Sequence, residues 1–348
     1  RHRSVSRGLG DVYKRQVPPS CINRDDTGSP KMAIYGGVPR ARVSSQAWKH
    51  AMRGMFSELF SKEQVGVRTK RVLEMIIGEL KKLNYQGDME KAAMDGLKKC
   101  GFDFKKGTSL DTLFFMSYAQ AKKIAELIVA GEEDKGLYKN ALKEMPAIDM
   151  ALFGRMVTGN QSLSYDAAAQ VAHSISTHEV RNEYDYFTAI DDLAPEDNAG
   201  AGHLGTVEFY SATLYRYATV NLWELQNHLG DDTISAVQGF VRAFLLSMPT
   251  GKQNTFANRT APDFAYISVR DDQPVNLAGA FEKPVYTQRE GYTKKSIEAL
   301  REYAQKTYHT FVRPPMAAYC IGEPEETLGQ SVSIAQLEEE IVLNVLTK

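Results

Sequence analysis

Hydrophobic and polar positions change rhythm along this chain, and the changes divide it. From Ser44 a helix is marked by an apolar stripe of Trp48, Ala51, Met52, Met55, Phe56, Leu59 and Phe60. Gln46, Lys49, His50 and Arg53 recur at helical spacing on another face, and Ser44 or Ser45 suits the N-cap. Residues 62–150 keep the helical rhythm, most clearly in "VRTKRVLEMIIGELKKL" and "LDTLFFMSYAQAKKIAELIVAG", with breaks at Gly87, Gly101, Gly107 and Gly131. From about residue 160 the texture shifts. "SYDAAAQVAHSISTHEV" opens like a helix, whereas "TVEFYSATLYRYATVNL" (206–222) has the Thr, Val, Tyr and Phe content of a long strand. Residues 224–248 and 296–311 read as helices and "DFAYISVR" (263–270) as a strand. The pattern predicts an α+β chain whose β-containing unit is split by a helical insertion.

Residues 17–43 read as loop with short extended pieces, punctuated by Pro18, Pro19, Pro30, Pro39, Gly28, Gly36 and Gly37. The opening "RHRSVSRGLGDVYKRQ" (1–16) has no periodicity and no apolar signal-like core; it reads as a non-native remnant and is set aside from the fold. At 348 residues, 43% hydrophobic and 24% charged, the chain has material for two structural units and a substantial core. A net charge of −1 excludes a uniformly basic coat, so any anion binding must come from local arrangement. Three dispersed cysteines (Cys21, Cys100, Cys320) support neither a disulfide framework nor a zinc knuckle, which fits a reducing, cytoplasmic setting. No apolar run approaches the roughly 18 residues of a membrane span.

Charge is concentrated at one place. Lys31, Arg40, Arg42, Lys49 and Arg53, with His50, occupy a stretch (31–53) that contains no acid and includes a helix start. A helix N-terminus offers free N–H groups and partial positive charge, so a cationic stripe beside it suits phosphate oxygens. The span from Gln46 to Arg53 is about 10 Å, enough for two neighbouring phosphates. The competing reading is a solvated polar face. Lys252 in "PTGKQNTF" is a further candidate cation, although Leu246 stands where a Walker loop needs glycine. Asp25 and Asp26 in "NRDD" are either turn formers or carboxylates for a divalent metal. The seven histidines make no ligand pattern, and no nucleophile motif is present, so no catalytic residue, metal site or cofactor is assigned. The acid-rich stretch 178–209 carries Tyr184, Tyr186 and Phe187, which suit either stacking on bases or packing a surface hairpin onto the core.

The motifs "SCINRDDTGSPKMAIYGGVPRARVSSQAWKHAMR" (20–53), "GRMVT" (154–158), "ISTHEVRNEYDYFTAIDDL" (175–193) and "AGHLGTVEFYSATLYRYATVNL" (201–222) occur in an order that closely resembles the CasC family. These are the repeated backbone subunits of type I-E CRISPR surveillance complexes (Cascade). "GKQNTFANRTAPDFAYISVR" and "NLAGAFEKPV" fit the same family, and the likeness runs from about residue 18 to 290. It implies an RRM-like (ferredoxin-like) palm, a large helical fingers insertion and a protruding thumb hairpin. The divisions are palm 17–60, fingers 61–155, palm connection 156–177, thumb 178–210 and palm with C-terminal helices 211–348.

The resemblance further implies a non-catalytic protein that binds guide RNA (crRNA) and stacks with copies of itself and other Cascade subunits. It would kink the guide at intervals so that segments pair with target DNA in antiviral defence. Lys31, Ser44, Gln46, Lys49 and Arg53 match guide-backbone contacts; Arg40, Arg42, Ser45, His50 and Lys252 extend that set. Met156 of "GRM" and Phe187 of "DYF" match the wedging apolar residues. His50 stands where a second basic residue is usual. The aromatic signatures of ordinary RRM domains are missing, so RNA is expected to be held through phosphates and wedging. The family's first palm strand falls on the set-aside 1–16 segment, so the palm sheet is expected to lack or mispair an edge. The rival function is a metal-dependent endoribonuclease using Asp25 or Asp26, as in type III backbone subunits. A purely structural helical protein is the third reading.

Overall fold

A computed structural model describes residues 8–104, 107, 109–157, 160–189, 203–322 and 328–345. Its main unit is a mixed α+β assembly around one large sheet. The chain enters as β1 (Gly8–Ser20), followed by a hairpin of β2 (Met32–Tyr35) and β3 (Val38–Val43) and then by α1 (Ser45–Leu59). After the insertion come the short strands β6 (Ala169–Val171) and β7 (Ser174–Ser176), then β8 (Glu183–Ala189) and the long β9 (His203–Asn221). Next are α7 (Leu222–Leu229), α8 (Thr233–Leu246), α9 (Gln253–Phe256), β10 (Phe264–Arg270) and α10 (Thr293–Thr310). The last elements are β11 (Ala317–Gly322), β12 (Gln330–Ser331) and α11 (Ile334–Val345). The sheet runs β12-β11-β10-β1-β9-β7-β3-β2, with β6 and β8 also paired to β9.

The segment set aside as residues 1–16 is therefore corrected for its described part. Residues 8–16 lie in β1, at the centre of the sheet and antiparallel to both β9 and β10. The sheet is not short of a strand there. The sequence concealed it because a central strand can be held by its backbone ladder, which any residue but proline supplies. Arg15 closes this strand from inside: it is buried, and Nη1 donates to the Ser247 carbonyl at 2.9 Å. "AQVAHSIS" (169–176), within the stretch read as opening a helix, instead forms β6 and β7, which pair with successive parts of β9.

Strand alternation divides the core between the two faces of the sheet. Leu214, Ala218 and Val220 of β9, with Ala265, Ile267 and Val269 of β10, face a core that includes α1, α8 and α11. Tyr215, Tyr217, Phe264 and Tyr266 face the opposite core, closed by Leu277, Phe281, and Ile297 and Leu300 of α10. The α1 helix is docked mainly by Trp48, fully buried, whose indole N–H donates to Ser174 Oγ at 3.0 Å. The guanidinium of buried Arg216 lies 3.5 Å from the centre of the Trp48 ring and 4.4 Å from that of Phe244. This cation sandwich ties α1, β9 and α8 together.

The insertion has its own core. It comprises β4 (Val67–Thr69), α2 (Val72–Lys82), α3 (Met89–Lys99), β5 (Phe114–Met116), α4 (Tyr118–Val129), α5 (Lys135–Ala141) and α6 (Ile148–Phe153). Val72, Ile76, Leu80, Leu97, Phe114, Ile124 and Leu142 meet in this second cluster. It is not wholly helical, because β4 pairs with β5 in a small sheet at the places where two helices were expected to begin. Ser117 then starts α4 with a reciprocal capping box to Gln120. The last helix, α6, turns its Ile148, Ala151 and Leu152 into the main core. No helix among the described residues is long and apolar enough to cross a membrane.

Replacing Trp48 by alanine removes the ring that Arg216 covers and opens a cavity beneath α1. It is expected to cost about 3–5 kcal/mol, read as a lower midpoint in chemical denaturation. Phenylalanine at this position should recover more than half of the loss.

Candidate nucleic-acid interface

Local chemistry at the start of α1 fixes the geometry of the cationic surface. Ser44 is the N-cap, its Oγ accepting from Ala47 N at 3.2 Å, while its own N–H donates to Asn23 Oδ1 at 2.9 Å. Among the described residues no acceptor meets the N–H groups of Ser45 or Gln46. The helix therefore opens outward as an anion-seeking terminus.

Two segments, the β2–β3 hairpin and the loop before α9, bring cations to this edge. Lys31 precedes β2 and is half-buried. Arg42 donates through Nε to the Met32 carbonyl at 3.2 Å, and its Nη1 lies 3.1 Å from Nδ1 of His173. Burial, then Arg42 and Lys31, hold His173 below the usual imidazole value. Lys252 arrives from the loop before α9, where the chain takes a left-handed turn at φ 46°. That loop approaches very closely, since a Cβ on Gly251 would stand 2.7 Å from the Cys21 carbonyl oxygen. Burial pushes the Cys21 thiol up, and Lys252 and Arg24 pull against that shift, so both cations neighbour it.

The other residues expected to grip RNA divide sharply. Gln46 and His50 are exposed on α1, and Ser45 and Lys49 are half-buried. Lys49 Nζ stands 5.6 Å from the centre of the Phe153 ring, and burial lowers its pKa. Arg53 is not a free cation, because its Nε donates to Asp149 Oδ2 at 2.8 Å and its guanidinium covers the Phe115 ring at 4.6 Å. Arg40 is corrected outright. It is fully buried and donates to the carbonyls of Tyr35, Ser176 and Phe281, which makes it an internal bracket with no face to solvent. Asp25 is likewise occupied: its Oδ1 accepts from Thr27 N, Thr27 Oγ1 and Ser29 N, and these bonds hold its carboxyl below the usual range. No cluster of potential metal ligands occurs among the described residues.

The two apolar candidates come from different parts of the chain, Met156 from the turn after α6 and Phe187 from β8. Gly154 takes φ 77°, and a Cβ there would meet the Tyr165 carbonyl oxygen at 3.0 Å. The turn it permits sends Arg155 inward and Met156 outward. Arg155 donates to the carbonyls of Leu163, Phe115 and Leu142, and burial brings its pKa down to about 10. Met156 is 91% exposed. Phe187 lies on β8, which pairs with the first half of β9; the intervening part of the hairpin, 190–202, lies outside the described residues. On β9, Phe209 packs against Phe256 at 5.7 Å, next to the Lys252 loop.

The hairpin root is held by residues that sequence reasoning passed over. Glu208 accepts from Ser29 Oγ at 3.0 Å and from Asn182 Nδ2 at 2.8 Å, tying the hairpin to the loop before β2. His178 stacks on Tyr292 with ring centres 3.6 Å apart. Its Nε2 accepts from the Thr213 N–H at 3.1 Å, so Nδ1 carries the proton and donates to the Glu179 carbonyl at 2.8 Å. This arrangement needs a neutral ring. Burial, reinforced by Arg40, holds the His178 pKa below its usual value against the opposing bond to Glu179. The only sequence signal was a histidine in a strand-rich stretch.

A family model described as CT1975-like protein matches residues 15–348, beginning inside β1. Among solved structures, one similar chain belongs to a "CRISPR RNA-guided surveillance complex, pre-nicking". It shares 29% identity over 97% of this chain and 99% of its own, with a TM-score of 0.81. A second, from a "CRISPR RNA-guided surveillance complex", shares 28% identity over 97% of this chain and 100% of its own, with a TM-score of 0.66. No curated protein matches the chain.

Two outcomes follow from the buried polar groups. Arg53→Ala leaves Asp149 buried beside Gly66 without its cation, and is expected to cost about 3 kcal/mol in urea denaturation. Burial holds the His178 pKa below its unfolded value, so protonation favours the unfolded chain. Stability should be complete above the unfolded histidine value of about 6.5 and decline as pH falls below it. His178→Asn should flatten part of that slope in melting curves taken from pH 7.5 to 5.5; an unchanged slope would remove His178 from the account.

Proposed function

Because the chain belongs to the CT1975-like protein family, we propose that it is a guide-RNA-binding backbone subunit of a CRISPR surveillance complex of the type I-E Cascade kind. The similarity to surveillance-complex chains over almost the whole length supports this reading. In it, the main α+β unit is an RRM-like palm, the insertion around α2–α5 the fingers, and the β8–β9 hairpin the thumb. Copies stack along one guide, other complex subunits join them, and the exposed bases between grips pair with target DNA.

One observation carries the proposal: Asn23, which accepts from the N–H of the α1 cap Ser44, adjoins both the paired Lys31 and Arg42 and the Cys21–Ile22 backbone against which the Lys252 loop packs. Backbone N–H groups and cations on one edge contact phosphates without reading base edges, which suits a protein that must accept any guide. Met156 and Phe187 supply apolar groups able to part neighbouring bases, since every base presents a stacking face. The subunit acts by binding and shaping RNA and not by cutting it. The three donors on Asp25 Oδ1 support that choice over a nuclease, because they assign the carboxylate to its own turn.

Charge reversal tests the grip. Lys31→Glu and Lys252→Glu are each expected to lower guide retention by tenfold or more in filter binding, equally for unrelated guides. The slope of log affinity against log salt should become shallower by about 1 for each phosphate that is no longer neutralised. Retention unchanged in the double variant would refute the interface. Regular cuts in complementary RNA, abolished by Asp25→Ala, would refute the non-catalytic assignment.

A further inference from the structure

Three large aromatic residues stand exposed on β8, but only one of them faces a glycine. Tyr184 and Tyr186 are 67% and 63% exposed, opposite Glu208 and Thr206. Phe187, 42% exposed, is opposite Gly205. A Cβ built on Gly205 would lie 2.6 Å from Cε1 and 3.1 Å from Cε2 of the Phe187 ring, and nearer still to Cζ. The Cζ and Cε1 separations are shorter than real carbon–carbon contacts and the Cε2 one is tight, so the ring occupies volume that a side chain at 205 would fill.

Glycine inside a strand is otherwise a weakness: it loses backbone entropy and offers nothing to pack. Here the ring of the cross-strand partner covers it, an arrangement known to offset glycine in sheets. Phe187 thereby gains a fixed orientation, with part of its surface on the Gly205 backbone and part open. Period-2 alternation puts Gly205 and Phe209 on one face of β9, and Phe209 packs on Phe256 in the loop that carries Lys252. The ring thus lies on the same face of β9 as Phe209.

We infer that Gly205 is a positioning residue for the wedge: its missing side chain is the seat that orders the Phe187 ring before RNA arrives. The inference rests on the wedge reading of Phe187 given above. Its physical content is pre-organisation. A ring already held in one orientation does not have to lose rotational freedom on insertion between two nucleotides. A side chain at 205 would displace the ring even though β-branched residues normally favour strands.

Two measurements separate the seat from its use. With the full chain labelled at glycine Cα, the Gly205 protons should resonate upfield through the ring current of Phe187, and the shift should vanish in Phe187→Ala. In complexes assembled on guides carrying 2-aminopurine at successive positions, fluorescence should rise periodically where bases are unstacked. Gly205→Val should abolish that rise as fully as Phe187→Ala does, retain the guide, and add nothing further in the double variant. Gly205→Ala serves if the valine variant does not fold, because one methyl already enters the ring volume. The seat is overturned if Gly205 lacks the upfield shift. It is also overturned if the glycine variants keep the periodic rise that Phe187→Ala loses, an outcome that leaves the wedge reading standing. If Phe187→Ala itself keeps the rise, the wedge reading fails and the positioning role fails with it.

Discussion

The stacking of Arg216 against Trp48 is the contact on which the cationic edge depends. A helix can present its N-terminus to a polyanion only if its opposite face is fastened strongly enough to resist being pulled by that ligand. Trp48 supplies the fastening through ring burial, a hydrogen bond to Ser174 on β7, and the guanidinium of β9 that lies between it and Phe244 of α8. The cost of keeping a cation inside the core is offset by these two aromatic faces. Since β9 continues outward into the hairpin, the same strand that anchors α1 also carries Phe209 and Gly205. The proposed grip and wedge are therefore both tied to one strand, β9.

Arginine and lysine divide the work in this protein. Arg15, Arg40 and Arg155 are buried, and each spends its planar fork on backbone carbonyls of distant segments. A guanidinium offers five donors in fixed directions and is weakly hydrated, which makes it suited to bracing irregular chain. The ammonium groups of Lys31, Lys49 and Lys252 have no such forks and remain at or near the surface. A count of positive charge along 31–53 cannot distinguish these uses. Arg40 and Arg53 looked identical to Lys49 in the one-dimensional pattern, and only the positions of Ser176, Phe281 and Asp149 separate them.

Elements with strong local signals were legible, and elements that depend on partners were not. The aromatic, β-branched texture of β9 and β10 and the capped amphipathic α1 could be read directly, because burial on known faces forces those patterns. The central β1 could not, since its pairing runs through the backbone and its sequence shows no alternation. Nor could β6 and β7, each three residues long and defined by the neighbouring β9. At the interface, the cap at Ser44 was visible as local chemistry, and Met156 only through the family resemblance. Glu208, His178 and Gly205 were not, because each acts through a residue far away in sequence or across a hairpin.

In the proposed function, indifference to base identity follows from which atoms are available at this edge. Amide N–H groups of α1 and the ammonium groups beside them match phosphate oxygens, whose spacing does not vary with sequence. The apolar wedge is equally unselective, because parting two bases requires only that they present flat faces. A surface with more directional side-chain donors would have favoured particular bases and so restricted the guides it could carry. Burying the forks of Arg15, Arg40 and Arg155, while Arg42, the lysines and a helix terminus stay at the edge, leaves a grip made mainly of phosphate-matching donors. Sequence discrimination then falls to base pairing, the one interaction that a backbone subunit has to leave unobstructed.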